Sequence, residues 1–151
     1  MIRKAKAEDA EGLKRIVEES LGHPTDSAVL ARRIEELKDH DQYFIRVFEE
    51  EESKAVIGFI QAEKYDLLYG DSGFNIIALA VLKEKQNKGV GRALLASLEQ
   101  YAREEGCSFI RLNCNEKRTA AHAFYRHMGY VCDNTQKRFF KSITQPNSKG
   151  A

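Results

Sequence analysis

Apolar residues at Ala10, Leu13, Ile16, Val17 and Leu21 recur with helical spacing among charged neighbours, predicting a helix over Ala7 to Leu21. A short strand, Ile2 to Ala5, precedes it, and the Gly22, His23, Pro24 cluster ends it. A second helix follows, with Asp26 or Ser27 as its cap and Val29, Leu30, Ile34 and Leu37 on one face. YFIRVF and AVIGFIQAEKY then read as a hairpin joined by the acidic turn EEEES. After the polar loop LLYGDSG, the run GFNIIALAVL is almost wholly apolar, as a central strand covered on both faces would be. Val90, Leu94, Leu98 and Ala102 mark a helix from Val90 to Glu105, closed by Gly106. FIRLNC predicts a strand, TAAHAFYRHM a helix, and YVCD with RFFKSI a closing hairpin. The last residues, 144–151, carry no pattern and are expected to be a disordered tail after one domain spanning 1–143. The alternation of elements gives a single α/β (α+β) domain.

Composition narrows the function more by exclusion. The chain has 151 residues, 42% hydrophobic, enough for one core. Basic and acidic residues number 24 and 23, so the excess of positive charge expected of a nucleic-acid partner is missing. The longest apolar run, Phe74 to Leu82, is too short to span a bilayer and MIRKAKAEDAEG has no apolar core, so neither membrane insertion nor export is expected, and a cytoplasmic location is. Cys107, Cys114 and Cys132 are odd in number and lack C-x-x-C spacing, which argues against a disulfide framework and against a metal site.

The chemistry gathers at Gln86-Asn87-Lys88-Gly89-Val90-Gly91, where two glycines open a helix directly after a strand and a short loop. Free N–H groups and the positive end of a helix dipole converge there, making an anion site that suits a phosphate or pyrophosphate. A Walker loop is excluded because Lys88 precedes Gly89 and no Ser or Thr follows. A dinucleotide fold is excluded because its third glycine would stand at Leu94 and the loop is too long for the tight turn.

Those six residues fit Q/R-x-x-G-x-G/A, the signature of the GNAT superfamily of acyl-CoA-dependent N-acyltransferases, which this chain resembles. IIALAV before them is similar to the family's fourth strand. Ala121, Phe124, Tyr125, Gly129 and Tyr130 are similar to its second signature, A-x-x-F-Y-x-x-x-G-Y. IRKAKAEDAEGLKRI resembles its first strand and helix, so the likeness runs from Ile2 to about Ile143. The resemblance implies a mixed, mostly antiparallel, splayed sheet flanked by helices and acetyl-CoA as co-substrate, with no metal.

The resemblance also assigns residues. The pantetheine arm would pair with the backbone of Leu79, Ala80 and Val81, and the pyrophosphate would sit on the N–H groups around Lys88 to Arg92 and Ala93, with Gly89 and Gly91 allowing close approach. Gln86 would hold the loop or reach a phosphate, with Asn87 and Val90 beside it. Backbone N–H near Val81 or Leu82 would stabilise the oxyanion. Tyr125 matches the general acid that protonates the departing thiolate, beside Phe124 and Ala121. Where relatives carry Asn, this chain has Arg118, which could contact the coenzyme or pair with an acidic neighbour, while Asn115 could take the Asn's role. His122 reads as a structural polar group.

For the proton of the incoming ammonium, Glu63 and His23 are the candidates, with an ordered-water path as the alternative. The expected acceptor is a primary amine on a small molecule or a peptide, with polyamine, aminoglycoside, amino acid and protein amine all open. A homodimer is a further expectation from the family. The competing reading is a catalytically inactive acyl-CoA-binding or sensing module.

Overall fold

The computed structural model describes residues 1–144 and forms two compact units, Met1–Asn113 and the remainder from Cys114. The first unit runs β1 (Ile2–Lys4), a 3-10 turn (Ala7–Asp9), α1 (Ala10–Leu21), α2 (Ser27–Leu37), β2 (Tyr43–Glu49), β3 (Val56–Asp66), β4 (Ser72–Val81), a second 3-10 turn (Lys83–Lys85), α3 (Val90–Glu104) and β5 (Phe109–Arg111). The second unit contributes α4 (Thr119–His127). The sheet order is β1-β2-β3-β4-β5, antiparallel throughout except that β4 and β5 run parallel, as the α3 crossover between them requires.

Side-chain alternation divides the sheet into two buried faces. Gly58, Ile60 and Ala62 of β3 point with Phe44 and Phe74 toward α3, whose Val90, Leu94, Leu98 and Ala102 form the buried stripe foreseen from their spacing. The valine and the two leucines of this stripe each contribute about 1.5–3 kcal/mol by leaving water. Val47, Phe59 and Ala80 are buried on the opposite face, where α1 packs on β3 and β4 through Leu13 and Ile16. Gly58 sets how closely α3 can sit. A Cβ there would stand 3.0 Å from Val90 Cγ1 and 3.2 Å from the Ala80 carbonyl oxygen, so the first turn of α3 rests on bare backbone.

The entry into α1 differs from the continuous helix predicted from Ala7. Its first turn is 3-10 because Asp9 is committed elsewhere: its carboxylate accepts from the Lys6 N–H (2.9 Å) and bidentately from Arg3 (2.8 and 2.9 Å). Arg3 also reaches Glu49, joining β1, β2 and the helix start at one corner. Burial alone would push the Asp9 carboxyl up, but the Arg3 guanidinium and the Lys6 N–H together hold it below the usual carboxylate range. The cap of α2 is Asp26, whose Oδ1 accepts from the Ala28 N–H at 2.7 Å.

Two further expectations are corrected. The strand expected over FIRLNC is confined to Phe109–Arg111. No strand forms after α4 among the described residues, so YVCD and RFFKSI do not make the closing hairpin. Val131, Phe139 and Ile143 are 83%, 90% and 93% exposed, so no apolar face is buried to drive pairing. Among its described residues the second unit has no other strand for such a pair to extend, and an isolated two-stranded pair is marginal in water. Residues 145–151, which hold almost all of the expected tail, lie outside the described residues.

Asp9→Asn should cost about 3 kcal/mol in denaturant unfolding, because Arg3 is left part-buried without its main anion. In the parent protein this contribution is complete above the carboxylate's ordinary value of about 4 and drains away as pH falls below it, since the folded-state value is depressed. A stability-versus-pH curve for Asp9→Asn that keeps the parent's acid limb would contradict the assignment.

Candidate functional site

The site starts where β4 loses its neighbour. The β4–β5 ladder has three rungs, Gly73 with Phe109, Phe74 with Ile110 and Asn75 with Arg111, and β4 then continues for six residues without β5. On its other side the pairing with β3 passes from Ala62–Ile76 to Gln61–Ala78, so Ile77 is an extra residue, a β-bulge. Beyond the bulge, the Leu82 N–H donates to the Ile57 carbonyl at 2.9 Å. Antiparallel alternation therefore turns the main-chain groups of Ala80 toward β3 and those of Leu79 and Val81 to the open side. The Val81 carbonyl bears this out, accepting from Ser20 Oγ at 2.7 Å and Gln86 Nε2 at 3.0 Å instead of from a strand. Among the described residues, the Val81 N–H and both main-chain groups of Leu79 remain open on that edge.

The open edge leads directly into the glycine loop. Gln86 ties the loop to Val81, while Lys85 is held by Glu50 at 2.8 Å and Glu84 by Arg15 of α1 at 2.8 Å. Asn87 and Gly89 both take left-handed backbone, φ 64 and 87. An added Cβ at Gly89 meets nothing within 4 Å, so glycine is needed there for conformation and for whatever approaches, not for packing. Gly89 is the N-cap of α3 and has no side chain to cap it. The first internal bond runs from the Ala93 N–H to the Gly89 carbonyl, so Ala93 is not a free donor. The N–H groups from Asn87 to Arg92 donate to nothing among the described residues. Lys88 and Arg92 are exposed beside them.

In the second unit, an Asx turn opens α4. Asn115 Oδ1 accepts from the Lys117 N–H at 2.9 Å and its carbonyl from the Arg118 N–H at 3.0 Å. The same carbonyl lies 2.8 Å from His122 Nε2; a carbonyl only accepts, so Nε2 carries the hydrogen and His122 is a structural brace. Arg118 is exposed and meets no carboxylate among the described residues of its unit. Helix α4 ends in a Schellman motif: Gly129 (φ 93) donates to the Arg126 carbonyl and Tyr130 to the Tyr125 carbonyl. That turn folds Tyr130 back against Tyr125, ring centroids 5.8 Å apart, while Phe124 packs edge-on from the other side at 5.2 Å. Burial, with a smaller push from Cys114 and an opposing pull from Arg118, moves the Tyr125 phenol up to about 12. It is therefore a protonated donor throughout the neutral range. The F-Y-x-x-x-G-Y spacing is in this way a structural statement: the glycine supplies the left-handed turn that packs one tyrosine on the other.

Of the base candidates, His23 is exposed just past the end of α1. Ser20, three residues earlier, bonds Val81, so His23 Cα lies within about 11 Å of a residue touching the β4 edge. Glu63 faces away from α3 and is half-buried, its Oε2 accepting from Asn75 Nδ2 at 3.0 Å. Sequence reasoning missed what stands on the other side of Asn75. Its Oδ1 accepts from Arg111 Nη1, while Arg111 Nη2 donates to Asn113 at 3.0 Å and the guanidinium lies 4.8 Å over the Tyr65 ring. Only strand register could have shown it, because Glu63, Asn75 and Arg111 are 12 and 36 residues apart yet form one row across three strands.

The model of the acetyltransferase (GNAT) family matches residues 10–130. An uncharacterized N-acetyltransferase of Chlorobaculum tepidum is 30% identical over 139 residues, 92% of this chain and 79% of that protein. The aminoalkylphosphonate N-acetyltransferase of Salmonella typhimurium is 33% identical over 89 residues, 58% of this chain and 56% of its own. A GNAT family acetyltransferase structure from Staphylococcus aureus superposes with a TM-score of 0.74 at 25% identity, covering 95% of this chain and 98% of that one.

Gly129→Ala should destabilise α4 by about 1–2 kcal/mol through its left-handed backbone. It should also loosen the Tyr130–Tyr125 pair, seen as a downward move of the Tyr125 phenol in an alkaline spectrophotometric titration. An unchanged titration would separate the turn from the phenol's environment.

Proposed function

The chain belongs to the GNAT acetyltransferase family, and we propose that it transfers an acetyl group from acetyl-CoA to a primary amine by direct attack on the thioester. One observation carries the donor: an unpaired strand edge that runs straight into an uncapped helix start. Pantetheine has amides that can pair with such an edge as an added strand would, and a pyrophosphate suits a cluster of unbonded N–H groups at a helix N-terminus. The N–H groups from Asn87 to Arg92 hold the phosphates, with Lys88 and Arg92 adding charge.

The direction of the coenzyme then assigns the oxyanion donor. Its thioester lies at the end of the arm farthest from the pyrophosphate, and Leu79 is the open N–H farther from the loop. The N–H of Leu82, one of the two positions expected for this role, is already bonded to Ile57. Leu79 therefore stabilises the oxyanion and Val81 pairs with the arm. As the nitrogen–carbon bond forms and the carbon–sulfur bond breaks, the amine loses a proton and the thiolate gains one. Tyr125 donates the latter, in line with its place in the second signature and its raised value. Glu63, with one carboxylate oxygen held by Asn75 and the other without a partner among the described residues, accepts the former directly or through water.

Release of free thiol from acetyl-CoA with a panel of amines tests the reading, and acetyl-CoA at 100 times its Kd should raise stability by about 2.7 kcal/mol. Stabilisation without thiol release from any amine would instead identify a binding module. Tyr125→Phe should lower kcat about 100-fold or more with little change in the melting temperature, since the ring packing survives. Gly89→Ala should raise KM for acetyl-CoA about tenfold with a smaller effect on kcat, through strain of 1–2 kcal/mol, roughly, at φ 87.

A further inference from the structure

Arg111 is a cation without an anion. Its guanidinium is held by two neutral acceptors, Asn75 Oδ1 and Asn113 Oδ1, and by the face of Tyr65, and it pairs with no carboxylate among the described residues. Such a charge is half-buried at a strand end, positioned by three partners, and keeps N–H donors to spare. Arg3, by contrast, is saturated by Asp9 and Glu49; Arg46 also lies over aromatic rings without a carboxylate, but it has no Glu63–Asn75 row beside it.

Its place in the sheet adds the second observation. Asn75–Arg111 is the last rung before β4 and β5 part, and two residues farther along β4 comes the bulge at Ile77. On the other flank of Asn75 stands Glu63, so one amide separates a carboxylate from a guanidinium, its Nδ2 turned to the former and its Oδ1 to the latter. The two charges are kept from neutralising each other across the row, and all three side chains are only half-buried. A ligand with an ammonium group at one end and an anion at the other would complete both.

We propose that the acceptor is a small amine that also carries an anionic group, a carboxylate, phosphonate or phosphate a short chain away, and that Arg111 is the specificity-determining residue that binds this anion. The inference rests on the acetyltransferase reading and narrows its acceptor. Glu63 faces the ammonium end, consistent with the role given to it above, and Arg111 offers the planar pair of N–H groups that such anions accept.

The test measures thiol release by the full chain with acetyl-CoA and paired amines with and without an anionic group: serine against serinamide, and 2-aminoethylphosphonate against ethanolamine, with spermidine and a lysine peptide alongside. The anion-bearing member of at least one pair should be preferred by about 10- to 100-fold in kcat/KM, mostly through KM. Arg111→Gln should collapse that ratio to within a few fold, and Arg111→Lys should keep part of it. Acetyl-CoA must still raise the melting temperature of both variants, which shows that the fold and donor site survive. Preference for the neutral twins, spermidine or the peptide would overturn the proposal and leave acetyl transfer standing. So would a ratio that Arg111→Gln does not change. Failure of every amine to raise thiol release above the amine-free rate would overturn the acetyltransferase reading and this proposal with it.

Discussion

Everything proposed for this protein depends on a strand that is paired on one side only. A buried sheet normally satisfies both edges of a central strand, and leaving main-chain groups unpaired costs free energy unless water or a ligand meets them. Here β5 stops at Arg111 while β4 runs on to Val81, so the open length is built into the lengths of the two strands. The bulge at Ile77 sets which groups face the gap, because one extra residue shifts the alternation and turns Leu79 and Val81 outward. Ser20 and Gln86 then occupy the Val81 carbonyl, removing the acceptor nearest the loop and leaving its N–H. The edge is thus trimmed to a particular set of donors and acceptors.

The surrounding elements make sense as supports for that edge. Arg3 and Asp9 fix the start of α1, and the far end of α1 supplies Ser20 to Val81 and Arg15 to Glu84. Gly58 lets α3 sit against β3, which places its uncapped first turn just past the end of β4. Glycines at 58 and 89 thus serve different physical needs, one steric and one conformational. A methyl group at Gly58 would sit 3.0–3.2 Å from its neighbours, tighter than ordinary contact, whereas Gly89 has open space and a backbone that other residues adopt at a cost.

The parts of the molecule that could be read from sequence are those written in local spacing. The stripe Val90, Leu94, Leu98, Ala102 predicted α3, and the apolar run from Gly73 predicted the central strand. Gln86-x-x-Gly89-x-Gly91 and the Phe124 to Tyr130 signature located the uncapped start of α3 and the turn that ends α4, because backbone conformation there restricts residue type. The parting of β4 from β5 followed only from the family likeness, and nothing in IIALAV marks the extra residue of the bulge. The Arg3–Asp9 clamp and the Glu63–Asn75–Arg111 row were missed because they join residues through register, which sequence spacing does not encode. The closing hairpin failed for the opposite reason. Short apolar alternation was present in RFFKSI, but pairing needs a buried face as well as a pattern, and these side chains remain in solvent.

The same contrast separates donor from acceptor. In the proposed reaction, holding the coenzyme is mainly a backbone task, so it constrains glycines and leaves a short, readable string. Choosing the acceptor is, in the same proposal, a side-chain task, carried by residues that strand pairing collects from three places in the chain. A glutamate at 63, an asparagine at 75 and an arginine at 111 are each unremarkable in their local sequence, and acquire a joint meaning only when the register puts them side by side. The asparagine is central to that meaning. A charged residue at 75 would neutralise one neighbour and repel the other. A neutral amide can donate to a carboxylate and accept from a guanidinium at once, keeping both charges in place for a ligand that carries their complements.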